Sequence, residues 1–131
     1  MTQQILIISD DKANDALQRA LEARAFGTTL VADADEGDRQ LFRTKFDLVL
    51  VDLAQASAGA DLIKRVRSNP ELATLKVLTV AEWGTGQGCL ALSRGADAFE
   101  AKPVNCERLV TAIENLLRLK KSAAHRNGSK R

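Results

Sequence analysis

Leu48-Val49-Leu50-Val51-Asp52 is an unbroken apolar run that ends on a carboxylate. A strand with one face in water alternates apolar and polar residues. This run does not alternate, so both its faces are covered and it belongs at the centre of a parallel sheet. Two further runs share the form. Ile5-Leu6-Ile7-Ile8-Ser9 leads into Asp10 and Asp11, and Asp97-Ala98-Phe99-Glu100-Ala101 leads into Lys102 and Pro103. In an open parallel sheet the carboxyl ends of the strands line the ligand crevice. Three carboxylates and one lysine are therefore expected to meet in one place.

The stretches between these runs read as helices. Ala13, Ala16, Leu17, Ala20 and Leu21 recur at helical spacing over 12–25, with Gly27 at the position of a helix cap and a second strand over 28–32. A polar helix over 36–45 carries Leu41 and Phe42 on its apolar stripe. Leu62, Ile63 and Val66 mark a third helix over 59–68, stopped by Asn69-Pro70. A fourth strand spans 75–80, a fourth helix 87–94 ends at Gly95, and a fifth strand spans 98–101. Asn105 can cap the last helix, whose Leu109, Val110, Ile113, Leu116 and Leu117 form a core stripe. Five strands alternating with five helices, joined by right-handed crossovers, give an α/β doubly wound parallel sheet. The flavodoxin-like strand order 2-1-3-4-5 sets strands one and three beside the point where the order reverses.

The chain of 131 residues suffices for one domain with a real core, expected over 1–121 and followed by a basic flexible tail over 122–131. No run is long enough to span a membrane, and Met1-Thr2-Gln3-Gln4 lacks a basic leader region, so a cytoplasmic protein is expected. Cys89 and Cys106 lie far apart without metal-ligand spacing and read as reduced thiols; His125 stands alone near the tail. The net charge of +2 is misleading. Six of the 19 basic residues and none of the 17 acidic ones lie from Arg118 onward, so the first 117 residues carry a charge of −4. Direct DNA binding is not expected of an acidic body with a short basic end.

Three clustered carboxylates repel unless a cation joins them. Mg²⁺ suits one or two carboxylates together with water and phosphate oxygens. Asp52 can then act as a nucleophile on phosphorus, while Lys102 offers its ammonium to a phosphoryl oxygen and Pro103 helps fix the turn that aims it.

The segments 7–11 (Ile-Ile-Ser-Asp-Asp), 48–52 (Leu-Val-Leu-Val-Asp), 94–99 (Arg-Gly-Ala-Asp-Ala-Phe) and 102–103 (Lys-Pro) together resemble the receiver domain of bacterial two-component response regulators. The resemblance covers about residues 4–118. It implies that Asp52 is the phosphoacceptor, that Asp11 binds Mg²⁺ directly and Asp10 mainly through water, and that Ala54 lends the metal its backbone carbonyl. It implies that Lys102 contacts the phosphoryl group. The implied partners are a histidine kinase or phosphotransfer protein and a downstream protein, with the face of the fourth helix, fifth strand and fifth helix available for docking or dimerisation. A receiver is not an enzyme beyond its own phosphorylation and dephosphorylation.

The chain departs from the family at several positions. Counting back from Lys102 puts Val80 where the family places a switch Thr or Ser, and Ala81 at the small residue that follows. Thr79 is next door, but the strand period of two points it to the other face. Phe99 stands at the aromatic switch position, where Tyr is commoner, and Val104 replaces a Phe. The loop 53–59 lacks the usual Met-Pro pair and is one residue short. In the loop 82–88, three glycines recur without the spacing of a phosphate-binding fingerprint, Trp83 is a candidate partner anchor, and Glu82 is placed to influence phosphoryl lifetime.

The expected function is a stand-alone receiver that takes a phosphoryl group on Asp52 and signals by docking, since the 13 residues after Arg118 are too few for an output domain. The alternative is a pseudo-receiver that docks without phosphorylation, suggested by Val80. A flavin-binding relative of the fold is disfavoured by the lack of a hydroxyl-rich phosphate loop.

Overall fold

β1 (Gln4–Ser9), β2 (Gly27–Val31), β3 (Leu48–Asp52), β4 (Lys76–Glu82) and β5 (Ala98–Lys102) form one parallel sheet in the order β2-β1-β3-β4-β5. α1 (Asp15–Ala23), α2 (Ala34–Arg43), α3 (Ala56–Ser68), α4 (Gln87–Arg94) and α5 (Cys106–Ser129) alternate with the strands. The structure is a computed structural model describing residues 3–9, 15–52, 56–82, 86–102 and 105–129, without side chains at 56, 57, 87, 88 and from 119 on. Asp10, Asp11, Ala54, Trp83, Pro103 and Val104 lie outside the described residues.

β3 is central, and all five of its residues are buried, as its unbroken apolar run requires. Pleating divides the strand residues between two apolar layers. Ile5, Ile7, Leu48, Leu50, Leu78 and Val80 pack toward Leu17 and Leu21 of α1 and toward the stripe of α5 from Leu109 to Leu117. Leu6, Ile8, Val49, Val51 and Val77 face the other way, onto Leu41 of α2, Leu62, Ile63 and Val66 of α3, and Ala91 of α4. Each fully buried aliphatic side chain contributes roughly 1.5–3 kcal/mol over its exposed state, so these layers dominate the stability.

Local signals set the helix ends. Asp33 caps α2, its Oδ1 accepting from the Glu36 N–H at 2.8 Å, and Asn105 caps α5 in the same way for Arg108. Gly95 ends α4 at φ 117. Arg67 of α3 then ties the layer on that side together. Its Nε donates to the Gly95 carbonyl at 2.7 Å, its Nη1 to the Leu75 carbonyl at 2.8 Å and its Nη2 to Asp97 Oδ2 at 2.5 Å. The same Asp97 oxygen accepts from the Val77 N–H at 2.8 Å, so one guanidinium joins α3, the start of β4 and the turn before β5.

Two expectations need correction. Gly27 does not cap α1; it is the first residue of β2, paired with Gln4. The cap residue is Ala25, at φ 68, with the Ala25 and Phe26 N–H groups donating to the Glu22 and Leu21 carbonyls at 3.0 and 3.1 Å. This is the hydrogen-bond pattern that a glycine normally serves, here forced on an alanine. Phe42 is not in the core: it is 83% exposed, while its neighbour Leu41 is buried. The α2 stripe is one residue wide at that point because the helix ends at Arg43. The backbone of α5 runs from Cys106 to Ser129. Ala123, Ala124 and the lysines before them favour helix, and Gly128 is the first strong breaker.

Candidate functional site

The site is assembled by strand register. β1 and β3 pair Ser9 with Asp52, so both side chains leave the carboxyl end of the sheet at the same level. Both follow the parity of the strand residues that face α1 and α5. The β3–β4 register runs Leu50 to Leu78 and Val51 to Thr79, and its next step sets Val80 across from Asp52. β4 and β5 pair Glu82 with Lys102. Ser9, Asp52, Val80 and Lys102 thus share one face at one end of the sheet.

Asp52 is 7% exposed, a buried charge whose partners decide its cost. Lys102 Nζ lies 2.8 Å from its Oδ1, as an ion pair. Ser9 Oγ donates a long hydrogen bond to Oδ2, at 3.4 Å. Beyond the Lys102 ion pair, Oδ1 has no further hydrogen-bond partner among the described residues and keeps a lone pair to offer. A buried carboxylate in that condition suits a cation or an electrophile delivered from outside. Among the described residues no group of three His, Cys, Asp or Glu could hold a metal; the acidic pair expected to complete such a group, Asp10 and Asp11, lies outside them. So does Ala54.

Val80 is 3% exposed and packs in the same apolar layer as Leu78. Thr79 faces the opposite layer, buried, and its Oγ1 has no hydrogen-bond partner among the described residues. No register slip brings that hydroxyl to Asp52. Ala81 is buried, paired with Ala101, and Phe99 is half-buried beside Thr79 in the β4–β5 register. Ser9 is a site residue that the sequence reading missed. Its signal was available: it is the one polar residue of the β1 run, two residues beyond Ile7 and hence on the Asp52 face.

The family model of the response regulator receiver domain matches residues 5–114. The chain is a response regulator receiver domain. This receiver is 27% identical over 121 residues to the phosphate regulon transcriptional regulatory protein PhoB of Rhizobium meliloti (strain 1021), covering 90% of the chain and 53% of that protein. It spans about half the length of the curated relatives it matches. Among solved structures it is similar to a CheY-like response regulator receiver domain protein from Methanospirillum hungatei JF-1, with TM-score 0.84 and 26% identity over 94% of this chain and 99% of that one. It is also similar to the signal receiver domain of a signal transduction histidine kinase from Syntrophus aciditrophicus, with TM-score 0.80 and 27% identity over 89% of this chain and 91% of that one. Among the described residues of this receiver no helix is long and apolar enough to cross a membrane.

Proposed function

We propose that this receiver accepts a phosphoryl group on Asp52 from the phosphohistidine of a histidine kinase or a phosphotransfer protein, with Mg²⁺, in the cytoplasm. The observation that carries the reading is the buried Asp52 carboxylate at the sheet end with Lys102 Nζ 2.8 Å away. A carboxylate oxygen attacks phosphorus in line, the P–N bond to the donor imidazole breaks, and the imidazole nitrogen leaves with the electron pair. Lys102 turns from the carboxylate toward the phosphoryl oxygens and balances the charge gained there. Asp10, Asp11, Asp52 and the Ala54 carbonyl would hold the Mg²⁺, which neutralises phosphoryl charge when bound. The acceptor capacity left on Asp52 Oδ1 fits that assignment. The phosphorylated form then signals by docking on another protein, through the face of α4, β5 and α5, which is also the candidate dimer surface.

Val80 favours a second reading, a pseudo-receiver that docks without phosphorylation. It removes the hydroxyl that would bond a phosphoryl oxygen and leaves an apolar wall in its place.

Incubation with acetyl phosphate and Mg²⁺, read by intact mass, separates the two. The first reading expects a gain of about 80 Da that disappears in Asp52→Asn and without Mg²⁺. No gain, together with no detectable Mg²⁺ binding, contradicts it and leaves the pseudo-receiver.

A further inference from the structure

At the end of the sheet opposite Asp52, α2 and α3 leave an apolar groove. Phe42 stands in it as an exposed ridge, the residue 83% accessible, and lines a hollow on either side. A 140 Å³ hollow toward α3 is lined by Leu41, Val66, Leu72 and Asn69, with the Asp38–Arg65 pair at its edge. That volume is close to the roughly 150 Å³ of an engineered apolar cavity that admits benzene, so it can take one bulky apolar side chain. A 260 Å³ hollow on the other side is mixed in character: Leu41, Phe46 and Leu75 share its wall with Arg43, Lys45 and Glu71. An exposed aromatic beside an apolar hollow, with a second hollow of mixed apolar and charged lining next to it, is the anatomy of a docking surface.

The charges around the groove select its occupant. Arg39 is held by Glu36 at 2.6 Å, and its guanidinium keeps the Glu36 carboxyl below the usual range. Arg65 is held by Asp38 at 2.7 Å. Arg43 and Lys45 form no ion pair with any described residue, and among the described residues the carboxylate lining the larger hollow is Glu71. Arg43 also lowers the Glu36 carboxyl slightly, and two cations against one carboxylate leave the lining of the larger hollow net positive, ready for a partner's carboxylates. A domain body that is acidic overall makes this local excess of positive charge more selective.

We propose that the α2–α3 groove docks an acidic amphipathic segment of a partner protein, one that seats a bulky apolar side chain beside Phe42 and sets carboxylates against Arg43 and Lys45. Phe46 and Leu75 lie just before β3 and β4, at the amino ends of the strands. From Leu48 to Asp52 the strand alone spans about 13 Å. The groove is thus separate from the phosphoacceptor, and occupation of one leaves the other open. The same chain can hold a partner constitutively at one end and take a phosphoryl group at the other.

The test titrates the ¹⁵N-labelled chain with a synthetic amphipathic peptide bearing Leu and Phe on one face and Asp and Glu on the other. A counterpart with lysines for the acids is titrated in parallel. The acidic peptide is expected to shift the amides of Leu41, Phe42, Thr44 and Leu72 and to bind at least about ten-fold more tightly than the basic one at low salt. Phe42→Ala is expected to weaken it about ten-fold or more, and the double variant Arg43→Glu, Lys45→Glu to abolish the preference for the acidic peptide. Unchanged amide spectra away from the groove show that the variants fold. No binding, equal binding of both peptides, or shifts centred on another surface overturns the proposal. So do groove shifts that grow with protein concentration in the absence of peptide, which would make the occupant a second copy.

Discussion

Thr79 and Val80 are neighbours in β4, nearly equal in shape, and they face opposite layers of the molecule. Val80 lies across the strand register from Asp52, on the side of α1 and α5, where a hydroxyl would have a phosphoryl oxygen to bond. Thr79 lies on the side of α3 and α4, where its hydroxyl is buried without a described partner. The hydroxyl is present in the strand and absent from the site. A strand's period of two makes a displacement of one residue equivalent to a change of face, so near-identity of composition carries no function across it. The two layers differ in a second way. The α1/α5 layer is apolar up to the site, whereas the α3/α4 layer is pinned by the Arg67 guanidinium at the end of α4.

The largest effect belongs to that pin. Arg67→Ala removes three charge-assisted hydrogen bonds and takes that donor from two carbonyls, while Asp97 keeps only the Val77 N–H, so urea unfolding should show a loss of about 3 kcal/mol or more. A loss below about 1 kcal/mol would mean that the two layers are held alike. Val80→Thr places a hydroxyl in the apolar layer and should cost about 1–2 kcal/mol in the unphosphorylated chain by the same measurement. It should also widen the response of α4 to phosphorylation. Thr79→Val removes the unpartnered hydroxyl at nearly constant volume and should raise stability by about 1 kcal/mol. A destabilisation there would reveal a partner for Oγ1 and end the contrast between the residues. The smallest effect lies at the end of α1, where Ala25→Gly relieves a left-handed alanine. A gain of about 0.5 kcal/mol is expected, the relief being partly offset by the flexibility of an unfolded glycine.

The fold was legible because its strands are short apolar runs that stop on charged residues. α4 has the limits read from the sequence, and the strand order is the flavodoxin-like one expected of a doubly wound sheet. The positions of Asp52, Lys102 and Val80 at one place were legible for the same reason, since strand ends and strand parity fix all three. What escaped was set by tertiary context. Gly27 resembles a cap by type, yet hydrogen bonding to Gln3 draws it into β2 and leaves Ala25 to take the strained turn. Phe42 has the spacing of a core residue, but the termination of α2 one residue later leaves it outside. Ser9 was passed over as the end of an apolar run, although its parity with Ile7 placed it beside Asp52. The roles expected of Asp10, Asp11 and Ala54 rest on the resemblance, because those residues lie outside the described part of the chain.

We propose that the site takes a phosphoryl group while Val80, which offers that group no hydroxyl, blunts its transmission to α4. Beryllofluoride with Mg²⁺, a mimic of the phosphorylated aspartate, tests it through the amide shifts of the ¹⁵N-labelled chain and of Val80→Thr. In the native chain the large shifts should be confined to the carboxyl ends of β1, β3 and β5, with the α4 amides of Gln87–Arg94 moving widely only in Val80→Thr. Native α4 amides that move as far as those of the variant would contradict the claim, because the signal would then cross the sheet without a hydroxyl at residue 80.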